Sequence, residues 1–183
     1  VMGLSLALQN QQWMYLNGVI MVSPADYKVL RVGGPVSSAL NLPYYTAAAW
    51  YHKQLPSELQ IKDLTDILPE AEKFAIDELT PALIRGGFLS PEEKQKIAKQ
   101  MAFYSGLSEE VILQHNLDVP NSFFWKELLR DEGKTIGRLD SRYTGIDKME
   151  AGMRPDYSPE LTSWLHSFTP AINHYIRKEL NFK

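Results

Sequence analysis

The sequence contains no cysteine among its 183 residues, which excludes disulfides, thiolate nucleophiles and cysteine-ligated zinc. It has no long hydrophobic run either: no stretch approaches the ~20 apolar residues that a membrane-spanning helix needs. Charge of one sign is not in excess. The 19 Lys and Arg face 22 Asp and Glu, for a net charge of -3, and the basic residues are scattered, so no nucleic-acid partner is expected. Histidine is sparse. His52, His115, His166 and His174 contain no i, i+4 pair and no His-Glu-x-x-His signature. His166 and His174 are eight positions apart, but Pro170 lies between them. Surface or capping roles suit all four better than ligation, so neither a metal nor a cofactor is expected.

What remains is an ordinary globular composition, 44% hydrophobic and 22% charged, long enough to bury a core. Residues 2–13 read as a helix with no capping residue before it and no basic leader or cleavage site, hence not as a signal peptide. Leu16–Ser23 reads as a strand. Val19 to Val22 are apolar without alternation, the pattern of a central parallel strand buried on both faces. Such a strand needs neighbours for its backbone groups, and the rest of the chain supplies almost none. Ser23 to Pro43 is rich in Ser, Pro, Gly and Asn and reads as an ordered loop.

From Asn41 onward the pattern is helical. A short helix around Ala47-Ala48-Ala49-Trp50-Tyr51 is ended by Pro56. A stripe of Ile67, Leu68, Ala71, Phe74, Ala75, Leu79 and Leu83 marks a helix over 66–85, stopped by Gly86-Gly87. Ser90-Pro91-Glu92-Glu93 combines an N-cap serine, a first-turn proline and a capping-box glutamate. Gly106 ends that helix, Ser108 caps the next through His115, and another covers about 121–132. Over 134–144, Arg138, Asp140 and Arg142 alternate with Leu139, Ser141 and Tyr143. Period two predicts an extended segment or hairpin with the charges on one face. Ser158-Pro159-Glu160 opens the last helical region, in which Thr169-Pro170 repeats the cap-plus-proline device, giving two helices or one kinked helix. Ile172, Tyr175, Ile176 and Leu180 form its final stripe.

Three features bear on chemistry. Gly3-Leu4-Ser5-Leu6-Ala7 has the outline of a nucleophile elbow but lacks the preceding strand and the glycine at the fifth position; a helical serine is the better reading. The cluster Arg138, Asp140, Arg142 reads as a structural ion-pair ladder, or as a pair plus one guanidinium free to take an anion such as a substrate carboxylate. Tyr44, Tyr45 and Trp50, with Tyr51 and His52, read as an aromatic core helix or as the wall of a ligand cleft.

The order of these features carries a resemblance. Asn17-Gly18-Val19-Ile20-Met21-Val22-Ser23 resembles the strand after the nucleophile helix in serine carboxypeptidases. The run from Asn41 through Pro43-Tyr44-Tyr45 to Trp50-Tyr51-His52 is similar to the segment by which the bacterial branch enters its lid. Gly137-Arg138-Leu139-Asp140-Ser141-Arg142-Tyr143-Thr144-Gly145 looks like another string typical of that branch. The resemblance implies a mainly α chain: the helical lid, or cap insertion, of an α/β-hydrolase, with orphan strands at about 16–23 and 134–144. Residues 1–23 would be a remnant of the hydrolase core, and 24–183 the lid and return helix.

It also implies a serine-type carboxypeptidase that removes C-terminal residues from peptides, with the catalytic serine upstream of this chain and the aspartate and histidine downstream. No catalytic residue is therefore expected here. Tyr44, Tyr45, Trp50, Arg138, Asp140 and Arg142 are the expected cleft-lining residues. The partner would be the peptide substrate, with no membrane contact, and the chain alone would self-associate through the surface that meets the catalytic core. Bacterial cytoplasm and periplasm both stay open. The alternatives are a stand-alone helical interaction module and the lid of another hydrolase, an aminopeptidase or esterase.

Overall fold

The computed structural model describes residues 2–20 and 34–182, and the chain divides into two units, residues 1–31 and 32–183. In the first unit, α1 (Met2–Gln12) contains Ser5 in mid-helix, away from any strand-to-helix elbow. The helix closes at Trp13, where φ turns to 53°. The expected strand at 16–23 is not formed over residues 16–20, where Val19 and Ile20 are 49% and 90% exposed; residues 21–23 lie outside the described residues. The reason is physical. A strand persists only when a neighbour pairs with its backbone, and the sheet among the described residues holds only two strands of the second unit.

The second unit is mainly helical, as expected. It opens with α2 (Pro35–Leu40) and α3 (Leu42–Tyr51), followed by α4 (Ser57–Gln60). The α2 helix corrects the ordered-loop expectation for 23–43 over residues 35–40, and residues 23–33 lie outside the described residues. Pro35 occupies its first turn, where a missing N–H costs nothing, so the Gly-Pro punctuation marks a helix start and not a loop interior. Next comes α5 (Leu64–Phe74), which runs through a π-helical turn (Ala75–Leu79) into α6 (Thr80–Arg85). Then follow α7 (Pro91–Ser105), α8 (Glu109–Gln114), α9 (Asn121–Glu127), the strands β1 (Lys134–Ile136) and β2 (Thr144–Ile146), and α10 (Pro159–His174).

The core forms where α3 packs on α5 and α7. Leu42, Tyr45 and Ala49 of α3, Ile67, Ala71 and Phe74 of α5, and Ile97, Ala98 and Met101 of α7 are all buried in it. Each fully buried large aliphatic contributes ~1.5–3 kcal/mol, and the alanines let the backbones approach. The capping box forms as the sequence predicts: Glu93 N–H donates to Ser90 Oγ at 3.1 Å, and Ser90 N–H to Glu93 Oε2 at 2.8 Å. Gly106 ends α7 at φ 72°. A Cβ there would lie 3.0 Å from the Gln54 carbonyl oxygen and 3.1 Å from Ala49 Cβ, so both conformation and space select glycine.

β1 and β2 form an antiparallel hairpin with Thr135 opposite Gly145. Residues 137–143 connect the strands without joining them, so Arg138, Asp140 and Arg142 do not alternate along a strand face; they sit in the connecting loop. Of the two expectations for the last region, the single helix holds: α10 starts at Pro159 and runs through Pro170, although the Ser158 side chain makes no capping bond. Its apolar residues Leu165, Phe168, Ile172 and Tyr175 are each at least half exposed.

Candidate functional site

The 137–143 loop is held in place by hydrogen bonds whose direction follows from donor chemistry. Trp125 Nε1–H has nothing to accept with, so it donates to the Tyr44 hydroxyl at 2.8 Å. Ser141 Oγ donates to the Gly137 carbonyl at 3.1 Å. The 2.5 Å contact between Tyr44 and Ser141 is then the tyrosine proton donated to the serine oxygen. His52 Nε2 lies 2.6 Å from the Ser141 carbonyl oxygen, and since a carbonyl only accepts, that nitrogen carries the proton. Burial pushes the Tyr44 phenol above its ordinary value, against the lowering by its bonds to Ser141 and Trp125.

Beneath the loop lies Glu160, fully buried. Its Oε1 accepts the Leu139 N–H at 2.7 Å, while Oε2 has no hydrogen-bond partner among the described residues. Gly137 permits this close stacking. A Cβ at that position would collide with both the Asp140 carbonyl oxygen and Glu160 Oε2.

The charged trio resolves into a pair and a single. Arg142 grips Asp140 with two side-chain bonds, Nε to Oδ1 at 2.9 Å and a terminal nitrogen to Oδ2 at 2.7 Å. Its backbone N–H adds a third bond at 3.1 Å. The guanidinium holds the Asp140 carboxyl down at about 2, and the Arg142 pKa is raised in return. Arg138 is exposed and has no hydrogen bond or ion pair among the described residues.

Five of the six sequence-predicted site residues come together. Tyr44, Trp50, Arg138, Asp140 and Arg142 line one open cavity of about 520 Å³, with Tyr51 and Leu64 completing its apolar wall. Tyr45 does not join them. It is fully buried, stacked on Phe124 at 4.0 Å between centroids, with its one hydroxyl proton shared between the Val119 carbonyl oxygen at 2.9 Å and Asn121 Oδ1 at 2.7 Å. The turn of roughly 100° per residue along α3 separates the two neighbouring tyrosines, leaving Tyr44 half-buried and Tyr45 fully buried. Sequence reasoning missed Ser141 as the loop's anchor and Glu160 as its floor. The only signal for Glu160 was its place in a helix-start motif, which predicts an exposed acid.

Arg138 also borders a second, larger cavity of about 730 Å³, on which Arg154, Asp118, Trp125 and Tyr157 converge. None of these was singled out from the sequence, where they are scattered over 40 positions (118 to 157).

Chemically, the arrangement is suited to binding. Ser141 and His52 are adjacent, but the imidazole contacts the serine's backbone carbonyl, not its hydroxyl, so no serine–histidine dyad is formed. No group of three or more His, Asp or Glu among the described residues is placed to hold a metal ion, and no helix among them is long and apolar enough to cross a membrane. Compared with known proteins, the chain matches no family model, no curated protein and no solved structure.

Proposed function

We propose that this chain is the lid-bearing part of a serine-type carboxypeptidase, in which the Arg138 loop and the aromatic face of α3 line the cleft that receives a peptide C-terminus. One observation carries the reading. The Arg138 guanidinium borders an aromatic-walled cavity without a carboxylate partner among the described residues, while the neighbouring Arg142 is fully engaged by Asp140. A guanidinium left open in this way matches a carboxylate ligand, and every substrate of a carboxypeptidase ends in a carboxylate. The resemblance of the strings around Asn17, Asn41 and Gly137 to that family supports the same reading.

On this proposal the nucleophile, base and aspartate belong to parts of the enzyme other than this chain, and the lid contributes shape and exclusion of water. The apolar stripe of Leu165, Phe168, Ile172 and Tyr175 on α10 then meets the catalytic core, and in its absence drives self-association. A fluorophosphonate probe is the direct test. No serine of this chain is expected to be labelled, whereas a coding sequence extended upstream is expected to reveal a Gly-x-Ser-x-Gly elbow whose serine is labelled. Stoichiometric labelling of Ser5 or Ser141 would overturn the proposal.

A second reading, a helical interaction module, is favoured by the exposed α10 stripe alone, because an amphipathic helix presents such a stripe to a groove. A self-contained reading frame of this length, with a partner captured by α10, separates it from the first.

A further inference from the structure

The larger cavity shares Arg138 with the proposed cleft and adds two charges that the hydrolase reading does not use, Arg154 and Asp118. Its lining includes two guanidiniums, Arg138 and Arg154, and one carboxylate, Asp118. Neither arginine has a hydrogen bond or ion pair among the described residues. Asp118 accepts a hydrogen bond from Ser38 Oγ on its Oδ1 alone. Between these charges stand the apolar surfaces of Trp125, Ile136 and Tyr157. The volume, about 730 Å³, lies in the ~300–1,000 Å³ range of small-molecule sites.

The walls are built, not incidental. The Trp125 ring is fixed by its bond to Tyr44. Arg154 is presented by a loop pinned at several points. Buried Lys126 donates to the Met149 carbonyl at 2.6 Å, and Arg130 donates to the Glu150 and Gly152 carbonyls. Asp156 closes the loop on itself by accepting the Lys148 N–H at 2.7 Å. A loop this restrained fixes the backbone from which Arg154 projects, which lowers the ordering cost of binding.

We propose that this cavity binds a small zwitterion bearing an α-amino and a carboxylate group, a free amino acid or dipeptide with an apolar side chain. The carboxylate meets Arg138 and Arg154, the ammonium meets Asp118, and the side chain lies against Trp125 and Tyr157. Two cations and one anion on the wall fit such a ligand better than a phosphate, which Asp118 repels. The proposal stands on the cavity alone and not on the hydrolase reading.

Isothermal titration of the purified chain tests it with L-phenylalanine, phenylalaninamide, N-acetyl-phenylalanine and inorganic phosphate. Saturable binding of phenylalanine is expected. Removing either ligand charge, as the amide or the N-acetyl derivative, is expected to weaken binding by roughly tenfold, the scale of one charged hydrogen bond. Arg154→Ala and Arg138→Ala, both on exposed side chains, weaken phenylalanine binding comparably. Asp118→Asn weakens phenylalanine but leaves N-acetyl-phenylalanine unchanged, a split that a general loss of structure would not produce. No saturation by phenylalanine at millimolar concentration overturns the proposal, as does equal binding of the N-acetyl derivative or of phosphate. Fluorophosphonate labelling reports on the catalytic reading and is unaffected by either result.

Discussion

Neutralising one side of the buried pair between Lys126 and Asp147 is expected to destabilise the protein more than any surface change. The two side chains are 2% and 6% exposed and meet at 2.8 Å. Lys126 Nζ also donates to the Met149 carbonyl, and Asp147 Oδ1 accepts the Asp156 N–H at 3.0 Å. Asp147→Asn keeps the shape and an acceptor but leaves a buried ammonium without its counter-charge. Breaking a buried pair from one side costs ~3–5 kcal/mol, and the retained amide oxygen places this variant at about 3 kcal/mol, the lower end. At roughly 2–4 °C per kcal/mol for a chain of this size, Tm falls by about 6–12 °C.

Lys126→Met leaves the carboxylate with only the Asp156 amide and is expected to cost a similar amount. The double variant Lys126→Met/Asp147→Leu removes both charges and is expected to be more stable than either single change, because a buried pair roughly balances its own desolvation. Urea unfolding followed by far-UV circular dichroism gives the three free energies of the cycle. The reasoning fails if Asp147→Asn unfolds within ~0.5 kcal/mol of the parent, the ordinary range of surface substitutions, or if the double variant loses the sum of the single losses.

Three further outcomes are expected. Ser90→Ala removes the acceptor for the Glu93 N–H and should cost about 1 kcal/mol of stability in urea, with Ser90→Thr restoring most of it. Gly106→Ala places a Cβ at φ 72° against the Gln54 carbonyl and should cost about 1–3 kcal/mol, the range for a strained backbone position, measured in the same way. Asp140 is lowered from 3.8 to about 2 by Arg142, so its pairing is present above pH ~4 and is lost as pH falls through 2. Carboxyl carbon shifts followed by NMR should show that midpoint, and Arg142→Ala should move it back toward 3.8.

Much of the helical frame was legible because its signals are local. Ser90-Pro91-Glu92-Glu93 states its own capping box, Gly106 its own terminator, and the stripe from Ile67 to Leu79 its own buried face. The failures came where the deciding interaction lies far along the chain. Val19 and Ile20 read as a buried strand because apolar runs imply burial, but a strand exists only if another pairs with it, and nothing local specifies the partner. Arg138, Asp140 and Arg142 read as one face of a strand because period two is a property of the sequence alone. Gly137 and Glu160 overrule it through a contact 23 positions apart, bringing the loop down onto a buried carboxylate. Tyr44 and Tyr45 are chemically alike in the sequence; only their places on α3 send one to the cavity and the other to the core. Arg154 and Asp118 carried no signal at all, because a pocket wall assembled from a turn and a loop has no periodicity.

The distribution of charge sorts the basic side chains that face the two cavities. Acids outnumber bases in this chain, 22 to 19, so a guanidinium does not lack for carboxylates. Arg85 takes Glu93 at 2.8 Å, Arg130 takes Glu127, and Arg142 takes Asp140, each between neighbours on the same stretch of chain. Arg138 sits two residues from Asp140, the same separation as Arg142, yet Asp140 turns wholly to the other side. The loop does not need Arg138 for its shape. Gly137, Leu139 and Ser141 are tied by backbone and side-chain hydrogen bonds to Tyr143, Glu160 and Tyr44, and none of these bonds involves its guanidinium. A charge that contributes no bond to the fold, on a loop made rigid by everything around it, and bordering both cavities, is placed where a ligand's carboxylate can supply the missing counter-charge. Arg154 likewise makes no bond to the fold among the described residues and sits on a pinned loop that borders the larger cavity, and that convergence gives the anion-binding reading more weight than either arginine would carry alone.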